Sequence, residues 1–197
     1  MSVRRLSKSS IIGGESSKSS SVIAGYSPAI DEMDLIERVT VGDGGAASIE
    51  FTSIPAIYQH LQVRILSKSV IPAGDIGDMT FNSDTGNNYA YYSLYGDGAS
   101  AAAEAGASRA NIPLARMVTS SSTSVFGANI VDILDYASTS KNKTVCTFKG
   151  EDRNGAGAVL LDSGLWMSTS AITSIRITGR SNNFAQYSQA ALYGIKA

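Results

Sequence analysis

The sequence predicts an all-β sandwich or barrel, on three observations. Apolar and polar residues alternate with a period of two along most of the chain after residue 35. Clusters of Gly, Asp, Asn and Ser interrupt that alternation roughly every 8–12 residues, as turns between short strands do. Charged residues make up only 17% of the 197-residue chain, and small residues take their place, a mix that suits strands and tight turns better than long helices.

The elements follow in order. The first strand is read at Leu35–Val41 and is closed by the turn Gly42-Asp43-Gly44-Gly45. Ala47–Thr52 is the second. Leu61, Val63 and Ile65 alternate with Gln62 and Arg64 in a half-buried third strand. Pro72–Asp78 reads as a loop before a strand that starts at Met79–Phe81. In Tyr89–Tyr95, tyrosines 89, 91 and 95 share one face, while Ala90, Tyr92 and Leu94 share the other. Gly96 to Ala110 is a Gly/Ala/Ser stretch, and within it Ala99–Ala105 is compatible with a short helix. Further strands are expected near Ile112–Val118, Val125–Tyr136, Thr144–Phe148, Val159–Trp166, Ile172–Thr178 and Ala185–Ile195. They are not copies of one another, which argues against a propeller or solenoid.

The chain divides near residue 30. Residues 1–30 carry Arg4, Arg5, Lys8 and Lys18 against Glu15, whereas the remainder holds 12 basic and 16 acidic residues. Serine dominates from Ser7 to Ser21, and so few apolar groups cannot offset the entropy of ordering the segment alone. The run Ser7-Lys8-Ser9-Ser10-Ile11-Ile12-Gly13 is echoed by Ser17 to Gly25, with Val22 and Ile23 in place of the Ile pair. One reading is a solvated tail. The other is an extended basic arm that orders on another protein, with Ile11, Ile12, Val22 and Ile23 filling grooves and Arg4 and Arg5 adding charge. Residues 31–197 are expected to form the sandwich domain.

Several classes are disfavoured. No run approaches about 18 apolar residues, so no membrane span is expected, and the N-terminus lacks an apolar signal core. A net charge of −1 gives the whole chain no nucleic-acid footprint. One cysteine and one histidine preclude an internal disulfide and any zinc site built from several such ligands. No cofactor is expected.

Few residues suggest chemistry. His60 would need a nucleophile and an orienting carboxylate converging on it, and reads more simply as a structural or surface histidine. Cys146 alternates with Val145 and Thr147 and is expected on a buried face. Asp132 and Asp135, three apart on a strand, point to opposite faces and cannot pair as a glycosidase would require. Asp75, Asp78 and Asp84 could furnish a loop calcium site, although no twelve-residue calcium loop is present. Gly96-Asp97-Gly98 reads as a turn. Tyrosine is the informative aromatic, with nine against five Phe and one Trp. Tyr89, Tyr91, Tyr92 and Tyr95 form a dense cluster, read either as a receptor or interface surface, with Tyr89, Tyr91 and Tyr95 on one face, or as cross-strand pairs at the sandwich rim. Trp166 is read as core.

The stretch Gly42–Arg64, with its glycine turn, Ile49-x-Phe51 strand, Ile54-Pro55 loop and Tyr58-x-His60-Leu61 strand, resembles a segment of tailed-bacteriophage virion proteins. The stretches Phe81–Tyr89, Ser163–Ile175 and Asn183–Lys196 fit the same pattern, so the resemblance covers about residues 35–196. It implies a jelly-roll-like antiparallel sandwich of roughly eight to ten strands that serves as a virion building block and not as an enzyme. It further implies a capsid decoration (cement) protein that clamps neighbouring major capsid subunits, located on the outside of the particle and made in the host cytoplasm. Family analogy adds a homo-oligomer, a trimer, as the expected state. The alternative is a tail, collar or fibre-tip module that binds a host receptor or glycan.

Overall fold

The computed structural model describes residues 32–72, 75–121 and 124–196. Among these there is no α-helix, and twelve strands make two sheets in which every strand pair is antiparallel. In chain order they are β1 (Met33–Thr40), β2 (Ser48–Phe51), β3 (His60–Ser67), β4 (Asp75–Phe81), β5 (Tyr89–Gly96) and β6 (Ala101–Arg109). The second half supplies β7 (Ile112–Met117), β8 (Gly127–Leu134), β9 (Lys143–Asp152), β10 (Gly157–Trp166), β11 (Ile175–Gly179) and β12 (Gln189–Ile195).

The strand order gives the fold its class. One sheet runs β1-β12-β3-β8-β9-β10-β5-β6 and the other β2-β11-β4-β7. Eight strands thus alternate between the two sheets as successive pairs β1/β2, β3/β4, β7/β8 and β11/β12, which is the double Greek key of a jelly roll. The two remaining hairpins, β5–β6 and β9–β10, both add to the larger sheet beyond β8. They double its width without adding a strand to the smaller sheet.

Period-two patterning builds the shared core. Ile49, Phe51, Met79, Phe81, Ile112, Leu114, Ile175 and Ile177 line the smaller sheet, facing Leu61, Val63, Ile65, Val131, Ile133, Val145 and Leu192 of the larger. A cluster of Phe81, Tyr89 and Trp166 closes one side, with ring centroids 5.5 to 6.3 Å apart. Burial pushes the Tyr89 phenol up to about 12. Its oxygen accepts from the Phe81 N–H at 3.0 Å and donates to the Asp84 carbonyl at 3.1 Å.

Three local expectations change. The Gly42–Gly45 turn does not close a hairpin, because β1 and β2 lie in different sheets. It carries the chain between layers, and Gly45 must be glycine there: its φ is +78°, and a Cβ would lie 2.6 Å from the Phe184 carbonyl oxygen. β4 begins at Asp75, inside the segment read as a loop. The helix-compatible alanines belong to β6, where register pairs Tyr92 with Ala105 and Leu94 with Ala103. Backbone pairing to β5 outweighs the intrinsic preference of alanine.

Candidate functional site

Within the added hairpins, β9 reverses the usual alternation of a sandwich. On β9 the inward positions are Lys143, Val145, Thr147, Lys149 and Glu151, and the outward ones include Cys146 and Phe148. On β10 and β5 the inward set includes Asp162 and Ser93, while Val159, Leu161, Tyr92 and Leu94 face out. On β9 the polar side is therefore largely buried and the apolar side bare, while β10 and β5 bury Trp166 and Tyr89 along with Asp162 and Ser93 and still leave Val159, Leu161, Tyr92 and Leu94 bare. Cys146 is exposed, contrary to the sequence expectation, because it shares its face with Phe148 and that face points away from the core.

Most polar groups on the buried side are paired or hydrogen-bonded. Lys149 and Asp162 form an ion pair whose side chains are 4% and 2% exposed. Asp162 also accepts from Ser93 Oγ and, at 2.8 Å, from Thr147 Oγ1. Lys149 Nζ donates to the Pro113 carbonyl at 3.3 Å. Glu151 lies 3.5 Å from Arg153 Nε. Lys143 is fully buried and gives its ammonium to the Lys141 carbonyl at 2.7 Å. Desolvation pushes its pKa down.

On the outward side, register aligns one residue from each of seven neighbouring strands: Ala191, Arg64, Ile130, Phe148, Leu161, Leu94 and Ala103. Phe148 is 51% exposed, Leu161 53% and Tyr92, one row away, 72%. Leu66, Leu134 and Val159 are further exposed apolar residues of this sheet, and contiguous exposed apolar surface of this kind marks interaction sites. Two depressions indent this face. One, about 460 Å³, lies over Gly150 and Ala128 between Phe126, Ile130, Phe148 and Val159. The other, about 360 Å³, is floored by Ala191 and walled by Arg38, Arg64 and Tyr193. Ala128 and Ile130 line both.

The residues singled out from sequence fall in different places. Arg4, Arg5, Ile11, Ile12, Val22 and Ile23 lie outside the described residues. Tyr89 is 0% exposed and is core, which corrects its assignment to a receptor or interface surface. Tyr91 and Tyr95 are half-buried on the inward side of β5, and Gly106 lies so close beneath Tyr91 that a Cβ there would sit 2.5 Å from its ring. The exposed tyrosine of the cluster is Tyr92, which the period-two pattern placed with Leu94 on the opposite face. Trp166 is buried, as read.

The candidate chemical groups are each committed to structure. Asp75 accepts from the backbone N–H groups of Ile76, Ser181 and Asn182. Asp78 takes a two-point bond from Arg180, at 3.1 and 2.7 Å. Asp84 accepts from Trp166 Nε1 at 2.7 Å, and that bond leads the causes holding its carboxyl below the usual range. No group of three potential metal ligands comes together among the described residues. His60 Nδ1 accepts from the Asp135 N–H at 3.0 Å, pinning the turn after β8. Asp97 caps its turn through the N–H groups of Ala99 and Ser100. Comparisons with protein-family models, curated proteins and solved structures return no match.

Proposed function

We propose that the chain is a non-enzymatic structural protein of a tailed-bacteriophage particle, a capsid decoration protein that clamps neighbouring major capsid subunits. The observation that carries this reading is the reversed alternation on β9, with bare apolar residues of β10 and β5 beside it. A sheet that buries an ion pair and bares Phe148, Leu161 and Leu94 is built for something to cover its outer side. The Gly42–Arg64 resemblance supplies the class of partner, and the basic Ile-bearing arm supplies a second attachment point. Two linked contacts raise avidity without strengthening either one. Binding that favours the assembled shell over its separated subunits stabilises the shell by mass action. A trimer on a local threefold axis would multiply the effect.

Quantitative mass spectrometry of purified particles tests the role. Hundreds of copies per particle are expected. A handful, in multiples of three or six, would move the protein to the collar or tail and favour receptor binding, and none would overturn a virion role. Phe148→Lys and Leu161→Glu, both on the bare face, should leave the fold intact and reduce decoration at least tenfold. Decoration unchanged by both would show that another surface makes the contact.

A further inference from the structure

The two depressions on the outer face differ in chemistry and lie side by side. In the first, Phe126, Phe148 and Val159 surround a floor of Gly150 and Ala128, where missing side-chain bulk leaves room for one large apolar group. In the second, Arg38 and Arg64 stand on either side of Ala191, in register with it on β1 and β3. The two arginines are therefore two strands apart, about 10 Å at the backbone, close enough for their long side chains to converge on one anion.

Arg64 is held in place. Its guanidinium lies 5.3 Å from the centroid of the Tyr193 ring, and its Nε donates to Gln62 Oε1 at 2.8 Å. Among the described residues, no carboxylate pairs with Arg38 or Arg64. A fixed, uncompensated guanidinium beside a second one is suited to two-point recognition of a carboxylate.

We propose that this face takes a segment of a partner protein that sets an acidic side chain between Arg38 and Arg64 and a large apolar one over Gly150. The proposal rests on the partner-binding reading above and specifies the chemistry of the partner. Charge selects this occupant over the two nearer to hand. The arm of the same chain carries four basic residues against one acidic and would bring like charge to the arginines. A second copy docked by this same face would offer Asp132 and Asp152 from it, and these already accept from Gln62 Nε2 and from the Asn154 N–H. Ala191 on β12, between the arginines, and Gly150 on β9 lie three strands apart, about 14 Å. Extended chain advances about 3.3 Å per residue, so the acidic and apolar residues should stand about three to five positions apart.

The test is selection of a displayed library of random twelve-residue peptides on the immobilised full chain. Expected winners carry Asp or Glu about three to five positions from Leu, Ile, Phe or Trp. Changing that acid to its amide should weaken binding at least tenfold, as should Arg38→Glu or Arg64→Glu in the protein. Tyr91→Ala, on the opposite side of the sheet, should leave binding unchanged. An Asp→Lys peptide should regain affinity for the Arg38→Glu/Arg64→Glu protein. Failure to enrich any peptide, winners without the acid, or binding indifferent to both arginine variants would overturn the proposal. So would a solution oligomer that dissociates on Arg64→Glu and Phe148→Lys, since the occupant would then be a second copy. Enrichment of acidic–apolar peptides with no copies on particles would support the site and remove the virion role. Abundant decoration indifferent to Arg38→Glu/Arg64→Glu would keep the role and overturn the site.

Discussion

The buried pair Lys149–Asp162 provides the sharpest check on which way β9 and β10 face. Both side chains are almost wholly withdrawn from solvent. Removing one partner from such a pair leaves an uncompensated buried charge and costs about 3–5 kcal/mol. In a domain of this size each kcal/mol corresponds to roughly 2–4 °C, so Lys149→Met or Asp162→Asn should lower Tm by roughly 6–20 °C. The double variant Lys149→Met/Asp162→Leu removes both charges. It leaves Ser93, Thr147 and the Pro113 carbonyl without these partners, so it should recover most of the loss but not all. Phe148→Ala is the matched control. Half-exposed and pointing away from the core, Phe148 should cost less than about 1 kcal/mol when truncated, against about 3–5 for a core Phe. Urea denaturation of the full chain and its variants measures all four. If the strands faced the other way, the pair would be a surface ion pair worth at most about 1 kcal/mol and Phe148→Ala would be severe. Mild charge variants together with a severe Phe148→Ala would refute the reversed alternation and both functional proposals built on it.

Two further outcomes concern titration. Trp166 Nε1 and other donors hold the Asp84 carboxyl below its usual range, so the stabilisation is present above the ordinary Asp pKa and is lost as pH falls through the depressed folded value. Asp84→Asn should therefore be about 1 kcal/mol less stable at pH 7, with the gap closing in urea melts near pH 3; a gap independent of pH would refute this. Lys143 is the opposite case, because desolvation lowers its pKa and penalises the charged folded form. That penalty is present at neutral pH and is relieved as pH rises from the lowered value toward the ordinary one near 10.4. Lys143→Met should be neutral to about 1 kcal/mol more stable at pH 7 and should lack that alkaline rise. A loss above about 2 kcal/mol would mean its bond to the Lys141 carbonyl is needed.

Much of the fold was legible because period two and turn chemistry act locally. β3, β5, β7, β8 and β10 fall close to where alternation placed them. What a local pattern lacks is the identity of the partner strand. Nothing in Gly42–Gly45 says whether the next strand joins the same sheet or crosses to the other. Nothing in Ala101–Arg109 says that β5 lies alongside, which is what turns alanines into a strand. Face assignment failed at β9 for a related reason. Cys146 and Phe148 share a face there, and an isolated strand is expected to turn its more apolar side inward. Only the juxtaposition of Lys149 with Asp162, Thr147 and Ser93, three strands brought together by topology, makes the polar side a viable interior. The two-arginine depression was invisible for the same cause, since Arg38 and Arg64 are neighbours only across β12.

The reversal also bears on specificity of register. A slip of one residue in β9 or β10 would carry Phe148 and Leu161 into the interior and Lys149 and Asp162 out to water. The native register is held against it by the matched set Lys149, Asp162, Ser93 and Thr147, whose bonds can all be made only when the three strands are aligned as they are. Buried polar groups that fix a register at some expense of stability are known to act in this way. Here the same set would do two things at once, aligning the added hairpins and turning their apolar residues outward. A monomer gains nothing from the second effect. A protein whose working state includes a partner against that face does, and the stabilisation forgone in the isolated chain is then recovered at the interface.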